Sequence, residues 1–486
     1  MKPKRFLAVP INNDAETHRL CITEQGTPSW LLTLNYDPVS PEYEAYIPMD
    51  AFLDKDIGLS LDDKAYDTDL PAGFRFADAI PDAYEEPLRP QVHFSPLQGW
   101  NNDPNGLVWY KGYYHLFFQH NPAGNTWGNM HWGHAVSTDL LHWKELPIAL
   151  YPDMENGKCM DTIFSGSAIV DERNVTGLGD HPLVLLYTSS PFEDHTDREY
   201  DQRLAYSPDG MTFHKYPDNP VIPHAAESNR DPKVVWCEEL SCYLCAVYLV
   251  EQTYIIYRSD NLLSWRELQC VTLEGDNECP DLYPLTLDGE RYWILSGAHD
   301  CYLVGRMTPN GFEPVQEVRR LLSGYNYLYA AQTFSDLPDG RRIRISWAKM
   351  RLPGWNGMRW NCQMSTPVEM YLERDEAGIA LCLRPIRELE SLYCPDAEAA
   401  AWEIDCDIPE GTEDRQGFGV SLPLEGVPFR EGFAHARIIA DRVGVEAYFG
   451  SFYAAADGIC DFSAPAVDPA AVRNLRVQGL RRCIGN

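Results

Sequence analysis

A short corner recurs three times along this chain. Ser137-Thr138-Asp139-Leu140-Leu141-His142-Trp143, Ser207-Pro208-Asp209-Gly210-Met211-Thr212-Phe213 and Ser259-Asp260-Asn261-Leu262-Leu263-Ser264-Trp265 each carry Ser, an Asp one or two places later, and an aromatic side chain at the end. Each follows a strand-like segment (HWGHAV, RLAY, YIIYR) and leads into another. Asp and Ser favour turns because their side chains bond nearby backbone, so three ordinary hairpin turns would share part of this pattern. Copies 70 and 52 residues apart also suit four-stranded units arranged around an axis. They predict a β-propeller with one such corner per blade.

The texture around the corners agrees. From His93 to about Leu392 the chain reads as strand after strand with tight turns, many aromatics and no long helical periodicity. Before it, Arg19 to Gln25, Trp30 to Tyr36, Glu44 to Met49 and Ile57 to Leu61 read as short strands, punctuated at Gly26, Pro28, Asp37-Pro38 and Pro41. Pro81 to Pro90 (PDAYEEPLRP) reads as a connector. After Pro395, Ala436 to Ala440 and Val443 to Phe449 alternate like sandwich strands, with AEAAAW before them as a loop or short helical turn. The expectation is an all-β chain in three parts: a small amino-terminal β-sandwich-like domain (1–86), a propeller (87–392) and a reduced carboxy-terminal β-sandwich (393–486).

Charge narrows the class of partner. The 486 residues carry a formal charge of −32, which argues against nucleic acid and anionic membrane surfaces, both of which need a basic face. A small neutral substrate fits better. No window of about twenty apolar residues is present, and the amino terminus is apolar only from Phe6 to Pro10, so neither a membrane helix nor an export signal is expected. Fourteen cysteines without a regular framework then read as free thiols in a reducing cytoplasm. His131 and His134, three apart on a strand, point to opposite faces and make poor joint metal ligands. Cys237, Cys242 and Cys245 have a loose metal-like spacing without a second pair. No metal is expected. No Gly-rich phosphate loop or Gly-x-Ser-x-Gly elbow is present, and no cofactor is called for.

The densest chemical signal runs from His93 to Trp143. At its centre Asn102-Asp103-Pro104-Asn105-Gly106 is first a turn signal, and on that reading Asp103 only caps a turn. Yet Trp100, Trp109, Tyr113, Gln119, Trp127 and Trp132 crowd the same run, and aromatic faces with a few amides and a carboxylate make a sugar pocket.

This run closely resembles the signature of glycoside hydrolase family 32, the invertases, levanases, inulinases and sucrose-6-phosphate hydrolases. Asn229-Arg230-Asp231-Pro232 resembles the family's Arg-Asp-Pro motif, and Glu278-Cys279-Pro280-Asp281-Leu282 its Glu-Cys-Pro motif. Phe164-Ser165-Gly166-Ser167 and Tyr329-Ala330-Ala331-Gln332-Thr333-Phe334 resemble two further elements in the same order. The amino-terminal segment looks like the small β domain of some bacterial levanase-like members, and Arg437 to Phe449 resembles the Asp-x-x-x-x-Glu strand pair of the family's sandwich.

The resemblance implies a five-bladed propeller with a pocket at one end of its axis. In that pocket Asp103 would be the nucleophile, Asp231 the transition-state stabiliser and Glu278 the acid/base. Asn102, Gln119, Trp127, Phe164, Ser165 and Arg230 would hold a terminal fructose. The implied activity is retaining, exo-acting hydrolysis of β-fructofuranosyl bonds in sucrose or short fructans. That chemistry needs two carboxyl groups about 5–5.5 Å apart, one ionised and one protonated. Crowding should raise the pKa of the least solvated carboxyl, with Arg230 offsetting part of the charge. Cys279 reads as tuning its surroundings rather than as a nucleophile.

Two departures concern the leaving-group side: Met364-Ser365-Thr366-Pro367-Val368 where relatives carry Pro-Arg, and Ser323-Gly324-Tyr325-Asn326-Tyr327-Leu328 where an acidic residue is common. Alternatives on the same fold are a fructosyltransferase and a sucrose 6-phosphate hydrolase, the latter asking for a cationic pocket residue. A pure sugar-binding protein is disfavoured, since a binder needs no nucleophile and proton donor together. The amino-terminal domain is a candidate homodimer contact.

Overall fold

The computed structural model describes residues 1–192, 198–321, 327–350, 357–412, 417–464, 466–468 and 470–485. Strands dominate, and the helical elements are three short 3₁₀ turns among the described residues. Among the described residues, five large sheets succeed one another between residues 99 and 385, each with a core of four antiparallel strands taken in sequence order. Short extra strands join three of them, Trp360–Asn361 in parallel on the first, and a separate two-stranded ribbon pairs Met154–Glu155 with Lys158–Cys159. Their first strands are Gly99–Tyr110, Asp161–Val170, Arg230–Cys237, Asp281–Leu287 and Leu328–Thr333. Each packs against the first strand of the next sheet, and the fifth packs back on the first. The ring so closed is a five-bladed β-propeller.

Side chains crossing the axis lock the ring. Gln332 of the fifth blade accepts from Leu107 N–H in the first (3.3 Å) and donates to Gly166 O in the second (2.9 Å). Lys233 of the third blade reaches Asp281 of the fourth (3.1 Å) and Thr333 O of the fifth (2.7 Å). Buried polar groups need partners, and each of these finds one in the protein.

The recurring corners occupy one structural position, between the third and outermost strands of the first three blades. Ser137 Oγ accepts from Asp139 N–H, and Asp139 Oδ1 accepts from the N–H groups of Leu141 and His142. Ser207 and Asp209 repeat this arrangement. In the third copy Asn261, not Asp260, supplies the accepting oxygen, which amide and carboxylate do equally well. Trp143 and Trp265 each donate from the indole to the carbonyl three residues back.

Two sheets precede the propeller. One pairs Phe6–Ile11 with Tyr43–Pro48 and Arg75–Ala77; the other joins His18–Glu24, Thr27–Leu34, Ile57–Leu61 and Lys64–Tyr66. Leu7, Val9, Leu20, Ile22, Trp30 and Ile47 fill the core between them. After the propeller a six-stranded antiparallel sheet runs from Tyr393–Cys394 to Arg473–Leu480. Period two sorts its side chains. Ile439 joins the propeller core, while Ile438 and Ala440 face a second core closed by Phe418, Leu422 and Leu424. Among the described residues that second layer is loop rather than sheet. The AEAAAW segment differs from expectation: Trp402 lies in the strand Ala401–Pro409, because a run of alanines hides the alternation that begins there.

A buried ionic knot joins this sheet to the propeller. Asp441 accepts from the backbone N–H groups of Gln91, Val92 and His93 and from His93 Nδ1 (2.9 Å), while His93 Nε2 lies 3.5 Å from Glu446. Burial works against charging His93, but Glu446 and Asp441 outweigh it and raise its pKa to about 10. The Asp-x-x-x-x-Glu pair thus holds an imidazolium. No disulfide forms, and all fourteen cysteines are free thiols. Cys237 and Cys242 are a cross-strand pair, and no cluster of three His, Cys, Asp or Glu suited to a metal occurs among the described residues. His131 accepts from Trp30 Nε1, whereas His134 meets His115, so the two histidines serve different neighbours. No helix among the described residues is long and apolar enough to cross a membrane.

Candidate active site

Every blade contributes to one pocket, at the end where the first strands begin. The first blade supplies Asn102 and Asp103, the second Phe164 and Ser165, the third Arg230 and Asp231. Glu278 and Cys279 sit just before the fourth blade's first strand, and Tyr329 begins the fifth. Four of the five strands break register at these residues: between Asn101 and Pro104, Ile163 and Gly166, Arg230 and Lys233, and Tyr329 and Gln332. A bulge re-aims a side chain that regular pleating would direct between blades. Asp231, Glu278, Cys279 and Ala330 also have left-handed φ values of 66°, 57°, 39° and 50°. For non-glycine residues this conformation costs about 1–2 kcal/mol each, a strain that the surrounding blades must hold in place.

All nine residues singled out from the sequence line this cavity of about 360 Å³. Four more lining residues were not assigned there: Tyr200, Cys279, Tyr329 and Trp347. Tyr329 stood in a quoted motif without a role, while Tyr200 and Trp347 carry no local signal. The aromatic crowding read around Asp103 is only partly real. Trp127 lines the pocket, and Trp100 supports it from behind, donating to Asn102 Oδ1 (2.9 Å) and packing on Trp347. Trp109, Tyr113 and Trp132 lie elsewhere: Trp109 packs on Tyr114, Trp132 is fully buried and Tyr113 is exposed. Strand alternation sends neighbours in sequence to opposite faces, so proximity in the chain overstated the cluster.

The carboxyl groups differ in their surroundings. Asp103 Oδ2 accepts from Ser165 Oγ (2.7 Å) and faces the Cys279 thiol (3.6 Å). Asp231 Oδ2 accepts from Cys279 N–H (3.0 Å) and lies 3.5 Å from the same thiol, which therefore bridges the two aspartates. Asp231 N–H donates to Thr188 Oγ1. Glu278 is held at both oxygens, by Arg230 Nη2 at Oε1 (2.5 Å) and by the Tyr329 hydroxyl at Oε2 (2.6 Å). Lys349 Nζ stands 3.5 Å above the centre of the Tyr329 ring, and the His299 ring meets it edge-on.

Ionisation follows from these contacts. Burial raises Asp103, and burial, reinforced by neighbouring Asp103, raises Asp231 to about 7. Burial also pushes Glu278 up, but Tyr329 and Arg230 outweigh it and hold this carboxyl below its usual range. The expectation that the least solvated carboxyl gains basicity therefore holds for the aspartates. Glu278, more exposed than Asp231, goes the other way because its two donors stabilise the carboxylate. Gln119 carries its Nε2 into the site buried and without a protein partner, a donor available to a ligand oxygen. Thr366 and Val368 lie in the fifth blade outside the pocket lining, with Thr366 bonded to His93 and Glu446. Residues 323–326 of the other departure lie outside the described residues.

Comparison with known proteins gives one result. The levanase of Bacillus subtilis (strain 168) is 38% identical over 344 residues, covering 64% of this chain and 48% of its own length. The extracellular exo-inulinase of Aspergillus awamori is 34% identical over 350 residues, covering 62% of this chain and 65% of its own. The chain thus spans about half to two thirds of the length of these relatives. A crystal structure of exo-inulinase from Aspergillus awamori superposes with a TM-score of 0.69 at 25% identity, covering 82% of this chain and 99% of that one. The sucrose-6-phosphate hydrolase of Lactobacillus gasseri shares the fold, with a TM-score of 0.67 at 22% identity over 83% of this chain and 95% of its own. The family model of the glycosyl hydrolases family 32 N-terminal domain matches residues 93–385, more than half of the sequence and the whole set of pocket residues. The chain belongs to glycosyl hydrolases family 32.

Proposed function

We propose that this chain is a retaining, exo-acting β-fructofuranosidase that removes terminal fructose from sucrose or short fructans. One observation carries the reading: three carboxyl groups from three consecutively placed motifs converge in a single pocket, each with a different set of donors. The pocket is within the usual size of a small-molecule site, and Gln332 closes the axis beneath it, so it takes a chain end. Relatives named as levanase and exo-inulinase support a fructoside as substrate.

In the first step Asp103 attacks C2 of the fructosyl unit while Glu278 gives its proton to the departing oxygen. A fructosyl ester on Asp103 results. Water, losing its proton to Glu278, then displaces Asp103 and frees fructose with the configuration retained. Asp231, beside the bridging thiol, is placed to accept from ring hydroxyls. Nucleophile and acid roles ask for ionised Asp103 and protonated Glu278, whereas burial raises the Asp103 pKa and Tyr329 and Arg230 lower that of Glu278, so each shift runs against its role. Arg230 is the one cationic side chain among the described lining residues, and Glu278 already engages it, which favours a neutral sugar over a phosphorylated one.

The test is product analysis with sucrose, 1-kestose, levanbiose, inulin and sucrose 6-phosphate, beside Asp103→Ala. Fructose release by the wild type alone supports the reading. Longer oligosaccharides would make the chain a transferase, and turnover of sucrose 6-phosphate alone would overturn the neutral-sugar preference.

A further inference from the structure

The two amino-terminal sheets lie outside the family match, yet they grip the pocket at one place. The loop between Tyr113–Asn121 and His131–Ser137 carries Trp127, which lines the pocket while remaining 60% exposed at its mouth. Its one ring partner among the described residues is Phe164, edge-on at 6.3 Å. So little packing cannot fix a large side chain, and the loop must be held by its backbone.

Residues two places to either side of Trp127 provide that hold. On one side, Asn125 N–H donates to the Tyr43 hydroxyl (3.0 Å), and Asn125 Oδ1 accepts from Asn13 Nδ2 (2.8 Å). On the other, Asn129 acts as an added rung on the strand Thr27–Leu34. Its Oδ1 accepts from Thr33 N–H (2.8 Å) and its Nδ2 donates to Thr33 O (2.7 Å). His131 continues the clamp: the buried Trp30 indole donates to Nε2 (2.8 Å), so Nδ1 carries the proton and donates to Asn129 O (2.5 Å). Burial lowers the His131 pKa to about 3, which keeps the ring neutral and this arrangement fixed. Ala123, at the start of the loop, is part of the amino-terminal core itself.

We propose that the amino-terminal sheets are the seat of the Trp127 loop, and that Asn13, Thr33, Tyr43 and Trp30 are positioning residues that set how tightly the pocket holds its sugar. The claim on sugar affinity rests on the fructosidase reading; the claim on the loop does not. A wall residue placed by remote contacts affects ground state and transition state alike, so its loosening raises KM more than it lowers kcat.

Three variants test this in the full chain. Asn13→Ala/Tyr43→Phe removes the amino-terminal bonds to Asn125 and leaves those that Asn125 makes with Met358 O and Asn361 in the propeller. Asn129→Asp keeps the acceptor for Thr33 N–H and tolerates the left-handed φ of 44°, but sets an acceptor against Thr33 O and against Asn121 Oδ1, whose amide can turn to donate instead. Ile80→Val weakens the separate small core around Phe6 and Tyr46 and serves as control. Hydrogen exchange of residues 121–131 is read together with KM and kcat for sucrose. The first two variants should speed exchange in that segment and raise KM about tenfold with kcat within about threefold; the control should change neither. Wild-type exchange and KM in both loop variants would overturn the proposal, as would an equal KM rise in the control. Should the wild type cleave no fructoside, the fructosidase reading fails, while exchange still decides whether the sheets seat the loop.

Discussion

Replacing Tyr329 with Phe isolates one bond in the proposed mechanism. It removes the hydroxyl that donates to Glu278 Oε2 at 2.6 Å and leaves Arg230 on Oε1. The ring stays, so its contacts with Lys349 and His299 persist. A hydrogen bond to a charged group contributes about 1.5–3 kcal/mol. Because the Glu278 side chain is 33% exposed, solvent replaces part of that, and the low end applies. With about 1.4 kcal/mol per pKa unit, the Glu278 pKa rises by about one unit. The donor that holds this carboxyl below its usual range in the folded protein is lost, so protonation extends to higher pH. Glu278 must carry a proton to expel the leaving group. The limb of the kcat/KM–pH profile that it governs should therefore move up by about one unit. The other limb, set by Asp103, should stay, since Ser165 and Cys279 still face that carboxyl. The assay is initial-rate hydrolysis of sucrose across the pH range in which the fold is intact. A profile unchanged on both limbs, or one that moves down, would refute the reasoning.

Other consequences are equally open to measurement. Asp441→Asn strips His93 of a buried ion-pair partner and should cost about 3–5 kcal/mol, seen as a lower Tm. The wild-type knot has a definite pH window. With His93 raised to about 10, its contribution is full below the usual histidine value and lost as pH climbs through about 10. Asp441 and Glu446, both lowered, lose theirs as pH falls through their depressed values, so Tm should decline on both sides, and less steeply on the alkaline side in the variant. Gln119→Leu takes away the buried amide donor and should reduce kcat/KM for sucrose about ten- to a hundredfold, with little change in Tm. Gly166→Ala would force a Cβ against the Leu186 carbonyl oxygen beside Ser165, and should give insoluble or unfolded protein on expression.

The sequence shows some of this plainly. The three corners locate the same turn in three blades because Ser and Asp side chains must satisfy the same exposed backbone groups each time. The fourth and fifth blades turn without that corner, so spacing alone could not count blades. The strand Phe6–Ile11 carries no alternation in the sequence: all six of its residues are buried, and burial on both faces erases the pattern that marks a strand. The motif carboxylates stood out because Pro, Gly and Asn mark the bulges beside them. Tyr200 and Trp347 did not, since each is one aromatic on an ordinary segment, brought to the pocket by blade closure. Nor could spacing show that Glu278 is the carboxyl held ionised, which depends on Tyr329, 51 residues away. The grip of the amino-terminal sheets on the Trp127 loop depends on single asparagines and backbone groups, which leave no pattern in a sequence.

The central claim is that Asp103 forms a bond to the sugar. Glu278→Ala, incubated with β-fructosyl fluoride, has a leaving group that departs without acid help and lacks the base that would activate water, so the fructosyl ester should accumulate. Mass spectrometry of the intact protein and of its peptides reads the result. The account predicts a gain of one anhydrohexose, on the peptide containing Asp103, absent when Asp103 is also replaced by Ala. An adduct on Asp231 or on Cys279, or fluoride release with inversion and no adduct, would contradict it.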